Sequence, residues 1–153
     1  MSFRQLHSER MLEAVASARL AVEHGDVPVA AMVLDADGSV IGAGRNEREL
    51  RKDPTAHAEV LALRAAAGAR GDWRLDDCTL IVTLEPCAMC AGAILAARVP
   101  TVVFGAWDEK AGAAGSVHDL LRDRRLPHRV EVFSGVEEQA CAAPLLEFFR
   151  ARR

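Results

Sequence analysis

Several features that would decide the class of this protein at once are missing from its 153 residues. No apolar run reaches 18 residues, so we expect no transmembrane helix. The amino-terminal stretch MSFRQLHSERMLEAV lacks an uninterrupted apolar segment, so we expect no signal peptide and a cytoplasmic protein. Repeats, low-complexity tracts and linkers are also missing, which predicts one domain over residues 1–153.

Lysine is scarce, and the charge balance indicates no particular partner. The chain has 17 arginines but only two lysines, a net charge of −3 and no basic stripe. On its face this argues against a nucleic-acid binder. The distribution softens that argument, because seven arginines gather near the carboxyl end: Arg122, Arg124, Arg125, Arg129, Arg150, Arg152 and Arg153. Net charge alone therefore decides nothing.

Cysteine is scarce too, with only Cys78, Cys87, Cys90 and Cys141 in the chain. In a reducing compartment these residues favour metal binding or burial over a disulfide framework. Cys87 and Cys90 form the only C-x-x-C pair, and the H-x₃₋₅-H pair that would complete a four-ligand structural zinc site is also missing. A redox dithiol, a structural metal clip and a catalytic metal site all remain open for this pair.

Apolar periodicity predicts helices alternating with strands. The predicted helices are Ser8–His24, Thr55–Gly68, Pro86–Arg98 and Val136–Arg152; the predicted strands are Val29–Leu34, a run around Val40–Ile41, Cys78–Leu84, Thr101–Gly105 and Arg129–Phe133. The turn sequence DADG (35–38) predicts a hairpin between the first two strands. We expect Thr55 to cap one helix, Pro86 to start the next, and Pro144 to kink or break the last. The pattern predicts an α/β sandwich in which helices cover a mixed sheet.

A third candidate metal ligand lies upstream of the cysteine pair, at the predicted start of a helix. On its own, His57 would more often be an ordinary surface or core histidine, but Glu59 follows it two residues later. Three protein ligands and one open position are typical of a catalytic zinc. His57, Cys87 and Cys90 would hold that ion, and Glu59, close by but not a ligand, suits proton transfer from an activated water.

These residues carry a family resemblance. His57-Ala58-Glu59 and Pro86-Cys87-Ala88-Met89-Cys90 resemble the H-x-E…P-C-x-x-C signature of zinc-dependent nucleobase and nucleoside deaminases. The strings DPTAHAE (53–59), TLEPCAMCAGA (83–93), VVFGA (102–106), GAAGS (112–116) and FFRARR (148–153) resemble the bacterial tRNA adenosine deaminase family. The resemblance implies a three-layer α/β/α, cytidine-deaminase-like fold with a five-stranded mixed sheet. It also implies a homodimer, one zinc ion per subunit and conversion of the wobble adenosine of a tRNA to inosine.

The resemblance also implies roles for residues around the metal. Glu59 is the expected catalytic proton carrier, and Ala58 is an expected substrate contact. Asn46 would hydrogen-bond the base, although asparagine is also an ordinary turn residue. The backbone N–H of Glu85 or of its neighbours would polarise the water.

Four further residues are candidate RNA contacts. Asp108 and Lys110 follow a strand, in a loop that meets the RNA in the family. Phe149 and Arg150 lie on the last helix, where an aromatic ring and a cation can stack on bases or bind phosphate. The alternative for this pair is a core phenylalanine and a solvated arginine.

Three other functions remain open beside that of a tRNA deaminase. The nearest is the same zinc chemistry on a free base or nucleoside, such as guanine, cytosine or cytidine. A non-catalytic module stabilised by zinc would keep its function after Glu59→Gln. A redox protein would form a reversible disulfide between Cys87 and Cys90 and contain no stoichiometric zinc.

Overall fold

A five-stranded mixed sheet forms the centre of the structure, a computed structural model that describes residues 1–152; Arg153 lies outside the described residues. The strands are β1 (Ala30–Leu34), β2 (Val40–Arg45), β3 (Thr79–Leu84), β4 (Thr101–Ala106) and β5 (Glu131–Phe133). Their order across the sheet is β2-β1-β3-β4-β5. Strand β1 is antiparallel to both of its neighbours, whereas β3, β4 and β5 are parallel.

Helices cover both faces of this sheet. They are α1 (Phe3–Leu20), α2 (Arg48–Arg51), α3 (Ala58–Arg70), α4 (Ala88–Ala96) and α5 (Glu138–Arg150). Helices α1 and α5 pack against one face, and α3 packs with α4 on the other. The predicted three-layer α/β/α fold with five mixed strands is therefore confirmed.

Strand β1 shows why helices must cover both faces of the sheet. Its side chains alternate between the faces, so Ala30, Met32 and Leu34 join the cluster beneath α1 and α5. Ala31 and Val33 join the cluster beneath α3 and α4. Because both sets are apolar and buried, neither face of the strand tolerates water.

All four predicted helix starts differ from the observed ones. Helix α4 begins at Ala88 with Cys87 as its N-cap, so Pro86 precedes the helix rather than starting it, and α5 begins at Glu138 rather than Val136. Helix α1 begins at Phe3 rather than Ser8, because Ser2 and Gln5 form a reciprocal capping box that the periodicity does not reveal. Thr55 is not the cap of α3: its N–H and hydroxyl both donate to the Asp53 carboxylate, at 2.9 and 2.8 Å, in a turn before the helix. His57 is the N-cap residue of α3 instead.

The last helix continues through its proline. Helix α5 runs without interruption from Glu138 to Arg150, so the predicted break at Pro144 is wrong. Pro144, Cys141 and Phe148 are buried on the same helix, and this packing offsets the missing backbone hydrogen bond. Among residues 1–152, no helix combines the length and the apolar character needed to cross a bilayer.

Candidate active site

The starts of two helices meet at the edge of the sheet where β3 ends. His57 is the N-cap of α3, Cys87 is the N-cap of α4, and Cys90 lies in the first turn of α4. The His57 Nδ1 atom is 3.7 Å from the Cys87 Sγ and 3.5 Å from the Cys90 Sγ. The three potential ligand atoms lie within 4.8 Å of one another, so residues far apart in the chain converge as the sequence predicts.

The donor set and its spacing fit zinc. One nitrogen and two sulfur atoms are ligands that zinc prefers, at about 2.0–2.1 Å and 2.3 Å respectively. Tetrahedral angles at those bond lengths separate a nitrogen from a sulfur by about 3.6 Å, which agrees with the observed 3.5 and 3.7 Å. The three protein atoms could therefore occupy three positions of a tetrahedral zinc site.

A second cluster of potential ligands fits a metal poorly. Asp35, Asp77 and Cys78 also approach one another. The Arg70 guanidinium contacts both carboxylates, at 2.8 Å from Asp35 and 2.5 Å from Asp77, and already neutralises them. Burial raises the pKa of the Cys78 thiol to about 11, which disfavours the thiolate that a metal needs.

The two site cysteines differ in ionisation. A hydrogen bond from Cys90 lowers the pKa of the Cys87 thiol to about 4, against burial, which raises it; the His57 ring also lowers it. The same bond to Cys87 raises the pKa of Cys90, since a second thiolate would lie beside the first. A cation between the two sulfur atoms would remove that repulsion and stabilise both as thiolates.

Glu59 is a buried carboxyl group beside this cluster. It belongs to the first turn of α3 and is only 4% exposed. Burial raises its pKa to about 7, and the negative Cys87 sulfur adds to the effect. A carboxyl group with that pKa both accepts and donates a proton near neutral pH, as a general acid–base requires.

A cleft of about 620 Å³, measured to its open mouth, lies above the cluster. It is lined by two of the candidate ligands, His57 and Cys87, by Glu59 and by four of the predicted substrate contacts, namely Asn46, Ala58, Glu85 and Asp108. Cys90, the third candidate ligand, is buried beneath them. The other lining residues are Val27, Val29, Arg48, Leu84 and Ala111. This mixture of apolar walls and a few polar groups is typical of a small-molecule or base pocket.

Asn46 follows the last residue of β2. It belongs to a turn and also lines the cleft. Its side-chain nitrogen donates to the Val27 carbonyl at 3.2 Å, and its side-chain oxygen accepts from the Arg48 N–H, also at 3.2 Å. Each of these groups keeps a second hydrogen-bonding position. The Asp26 carboxylate anchors the short helix that follows, because it accepts from the N–H groups of Glu49 (2.6 Å) and Leu50 (3.2 Å).

The predicted role of the Glu85 backbone is wrong. Its N–H donates to the Ala106 carbonyl at 2.8 Å, so it is not available to polarise a water. Pro86 has no N–H, so the prediction that a neighbouring backbone N–H polarises the water is left with the first N–H groups of α4. The Glu85 side chain has a different environment: it is buried and accepts hydrogen bonds from the loop after β4.

The remaining predicted RNA contacts lie outside the cleft. Lys110 and Phe149 line a neighbouring apolar groove, which shares Val27, Leu84, Asp108 and Ala111 with the cleft. Phe149 is 51% exposed while the adjacent Phe148 is 6% exposed, so Phe148 is the core residue of the pair. Arg150 is exposed on α5 and lines neither cavity.

Comparisons with known proteins agree with this geometry. The model of the MafB19-like deaminase family matches residues 5–153, which assigns the chain to the deaminases as a class. The tRNA-specific adenosine deaminase of Bacillus subtilis (strain 168) is 48% identical over 143 residues, covering 94% of this chain and 88% of that protein. The chain therefore belongs to the family of tRNA-specific adenosine deaminases.

Solved structures extend the comparison. One comes from a study of A-to-I editing by tRNA:A34 deaminases at the wobble position of transfer RNA. It has a TM-score of 0.82 and 40% identity, and the match covers 86% of this chain and 95% of that one. A guanine deaminase from Nitrosomonas europaea has a TM-score of 0.80 but only 25% identity, over 92% of this chain and 83% of that one.

Proposed function

We propose that this enzyme hydrolyses the six-position amino group of the wobble adenosine in a tRNA anticodon, giving inosine and ammonia. The observation that carries the proposal is the cluster of His57, Cys87 and Cys90 at the base of a cleft that buried Glu59 also lines. The 48% identity to a tRNA-specific adenosine deaminase supports the substrate. A free base such as guanine is not favoured, because the likeness to the guanine deaminase is only 25%.

His57, Cys87 and Cys90 would hold one zinc ion, as their donor atoms and spacing support. When bound, zinc supplies Lewis-acid chemistry that lowers the pKa of water. The cysteines serve as ligands in this proposal and do not react. A redox role is not supported, because it would leave His57 and Glu59 without a function.

Glu59 transfers protons in the proposed reaction. Its carboxylate accepts a proton from the attacking water and gives it to the ring nitrogen next to the reacting carbon. It then moves the second proton of the added water from the new hydroxyl group to the amino group; the carbon–nitrogen bond breaks, ammonia leaves, and the carbon keeps the water oxygen as a carbonyl. The pKa of about 7 suits this exchange, since neither protonation state is strongly favoured near neutral pH.

Asn46 orients the base in this proposal. Its turn contacts with Val27 and Arg48 fix the amide, and each polar atom retains a second position for the purine. Ala58 lies beside Glu59 in the cleft wall, where its small side chain leaves space for a flat ring. These contacts would select the base, whereas the metal ligands would not.

The groove beside the cleft would accept neighbouring nucleotides of the anticodon loop. Its exposed aromatic residues, Trp107 and Phe149, offer faces for base stacking. Lys110 borders the groove and Arg150 follows Phe149 on α5, so cations are available for phosphate groups. Anticodon bases are already weakly paired, which lowers the cost of moving the adenosine into the cleft.

Two further proposals follow from the family resemblance. The enzyme would act as a homodimer, which sedimentation equilibrium tests directly. A tRNA substrate also implies a cytoplasmic enzyme.

A substrate comparison tests the proposed function. Purified enzyme is incubated with an anticodon stem-loop that has adenosine at the wobble position, and separately with free adenosine, cytidine and guanine. We expect inosine in the stem-loop and no product from the free compounds. A stem-loop with guanosine at the same position is the matched control. Turnover of the free compounds alone would contradict the proposal.

A further inference from the structure

We propose that the Glu85 carboxylate is a positioning residue that holds the rim loop (Trp107–His118) against the cleft, so that the loop meets the RNA in one conformation. This inference rests on the proposed function for its RNA readout. The rim loop contains no helix or strand and has only isolated bridges, so its conformation depends on contacts with other segments.

The carboxylate is buried and points only at donors. Glu85 is 2% exposed at the end of β3. One side-chain oxygen, Oε1, accepts from the Asp108 N–H at 3.0 Å; the other, Oε2, accepts from the N–H groups of Ala114 (2.9 Å) and Ser116 (3.1 Å). The Ser116 hydroxyl lies 2.9 Å from Oε2 and 2.8 Å from the Asp108 carbonyl, and it donates to one of them. Within residues 1–152, every side-chain hydrogen bond of Glu85 therefore goes to the rim loop.

The chemistry of these contacts requires a carboxylate. All the groups around Glu85 are donors, and an ionised carboxyl group accepts without donating. Glutamine has the same shape but would direct an N–H₂ group at one of the donors. The bonds also span both arms of the loop, from Asp108 near its start to Ser116 near its end. The Glu85 side chain thus links the two ends of the rim loop.

A glycine allows this close approach. A Cβ atom added at Gly112 would collide with the Glu85 carboxylate and with the Ser116 hydroxyl. Gly112 opens the string GAAGS (112–116), whose chemistry is not evident from its spacing. In the structure, residues 112–116 surround the Glu85 carboxylate. Gly112 leaves space for the carboxylate, while Ala114 and Ser116 donate their backbone N–H groups to it.

The anchored loop borders both the metal ligands and the substrate path. On one side, Gly112 pairs with Cys87, and the Ala113 N–H donates to the Pro86 carbonyl at 2.7 Å. On the other side, Asp108 and Ala111 line the cleft. Glu85 itself contacts the loop rather than the metal ligands. Its loss should therefore disturb RNA binding more than the proton-transfer step.

The test compares Glu85→Gln with the matched control Glu131→Gln, the same change at an exposed residue of β5. In Glu85→Gln we expect Kd and KM for the stem-loop to rise about tenfold, while kcat changes less than about twofold. Zinc content should stay close to that of the control, while Tm falls by a few degrees because a buried hydrogen-bond network is weakened. A role confined to folding would lower Tm and leave KM unchanged, and that result would overturn the proposal.

Amide hydrogen exchange provides a readout that needs no RNA. In Glu85→Gln, the Ala114 and Ser116 amides should exchange about tenfold faster than in the control. Unchanged exchange would overturn the proposal even if the stem-loop were not a substrate, which separates the two hypotheses. If Glu85→Gln does not fold, Ser116→Ala decides the matter. The Ser116 hydroxyl lies within hydrogen-bond distance of both Oε2 and the Asp108 carbonyl, so its loss should make the Ala114 amide exchange about threefold faster; unchanged exchange would refute the anchor.

Discussion

The floor of the cleft and its rim are built in different ways. On the floor, the first turns of α3 and α4 fix His57, Glu59, Cys87 and Cys90, so short local patterns determine where the side chains lie. On the rim, a short helix and an irregular loop are held by carboxylates that come from elsewhere in the chain. Asp26 anchors the short helix α2, and Glu85 anchors the rim loop.

This difference separates the groups needed for turnover from the groups needed for substrate binding. The floor contains the groups that would transfer protons and hold a metal, and a change there should abolish turnover. The rim contains the groups that would meet the base and its neighbours, and a change there should alter binding by a smaller factor. The following predictions test that division in order of decreasing effect.

Removal of the metal should have the largest effect. Dialysis against a chelator should abolish deamination and lower Tm, because His57, Cys87 and Cys90 would lose the cation that binds them together. Zinc added back in equimolar amount should restore both. Metal analysis before and after dialysis provides the measurement. Full activity in zinc-depleted enzyme would contradict the catalytic zinc site.

Glu59→Gln should lower kcat by roughly 10³- to 10⁴-fold, because the isosteric amide cannot carry a proton. Zinc content and Kd for the stem-loop should stay at the wild-type values, since Glu59 is not one of the three clustered ligands. Single-turnover kinetics and metal analysis measure these quantities. Wild-type function in this variant would instead support a non-catalytic zinc module.

Asn46→Asp should lower kcat/KM about ten- to hundredfold. The carboxylate keeps the acceptor for the Arg48 N–H but loses the donor that contacts the Val27 carbonyl and would face the base. A lower Tm would indicate a weakened turn, whereas an unchanged Tm would indicate a lost contact with the base. If turnover is unchanged, Asn46 is only a turn residue, which is the alternative interpretation of the sequence.

A pair of adjacent phenylalanines should give the smallest change in activity and the clearest contrast. Phe149→Ala removes an exposed groove residue and should raise Kd for the stem-loop several-fold with little change in Tm. Phe148→Ala removes a buried ring and should cost about 3–5 kcal/mol of stability. Equal effects of both changes on Kd, or on Tm, would contradict the division between core and groove.

The sequence predicts the floor well and the rim poorly, for physical reasons. The H-x-E and P-C-x-x-C patterns specify helix starts, and local geometry then determines which side chains face one ion. The order of helices and strands likewise follows from periodicity, although the caps at Ser2 and His57 change where two helices start.

The rim carboxylates have no such local signal. Glu85 binds groups 23 to 31 residues further along the chain, and Asp26 binds groups 23 and 24 residues away. Nothing in the sequence VTLEPC shows that the Glu85 carboxylate anchors a loop rather than being an unfavourable buried charge at the end of a strand. Gly112, the first residue of GAAGS, is the one available clue. The Glu85 side chain lies too close to it for a Cβ atom to fit, which favours glycine.

The position of inosine within a tRNA tests the proposed function most directly. A full-length tRNA with adenosine at the wobble position is treated with enzyme, digested, and analysed by mass spectrometry for inosine at each adenosine position. We expect inosine at the first anticodon position alone, and none with the Glu59→Gln variant. Inosine absent from that position, with free guanine or cytidine deaminated by the same preparation, would contradict it.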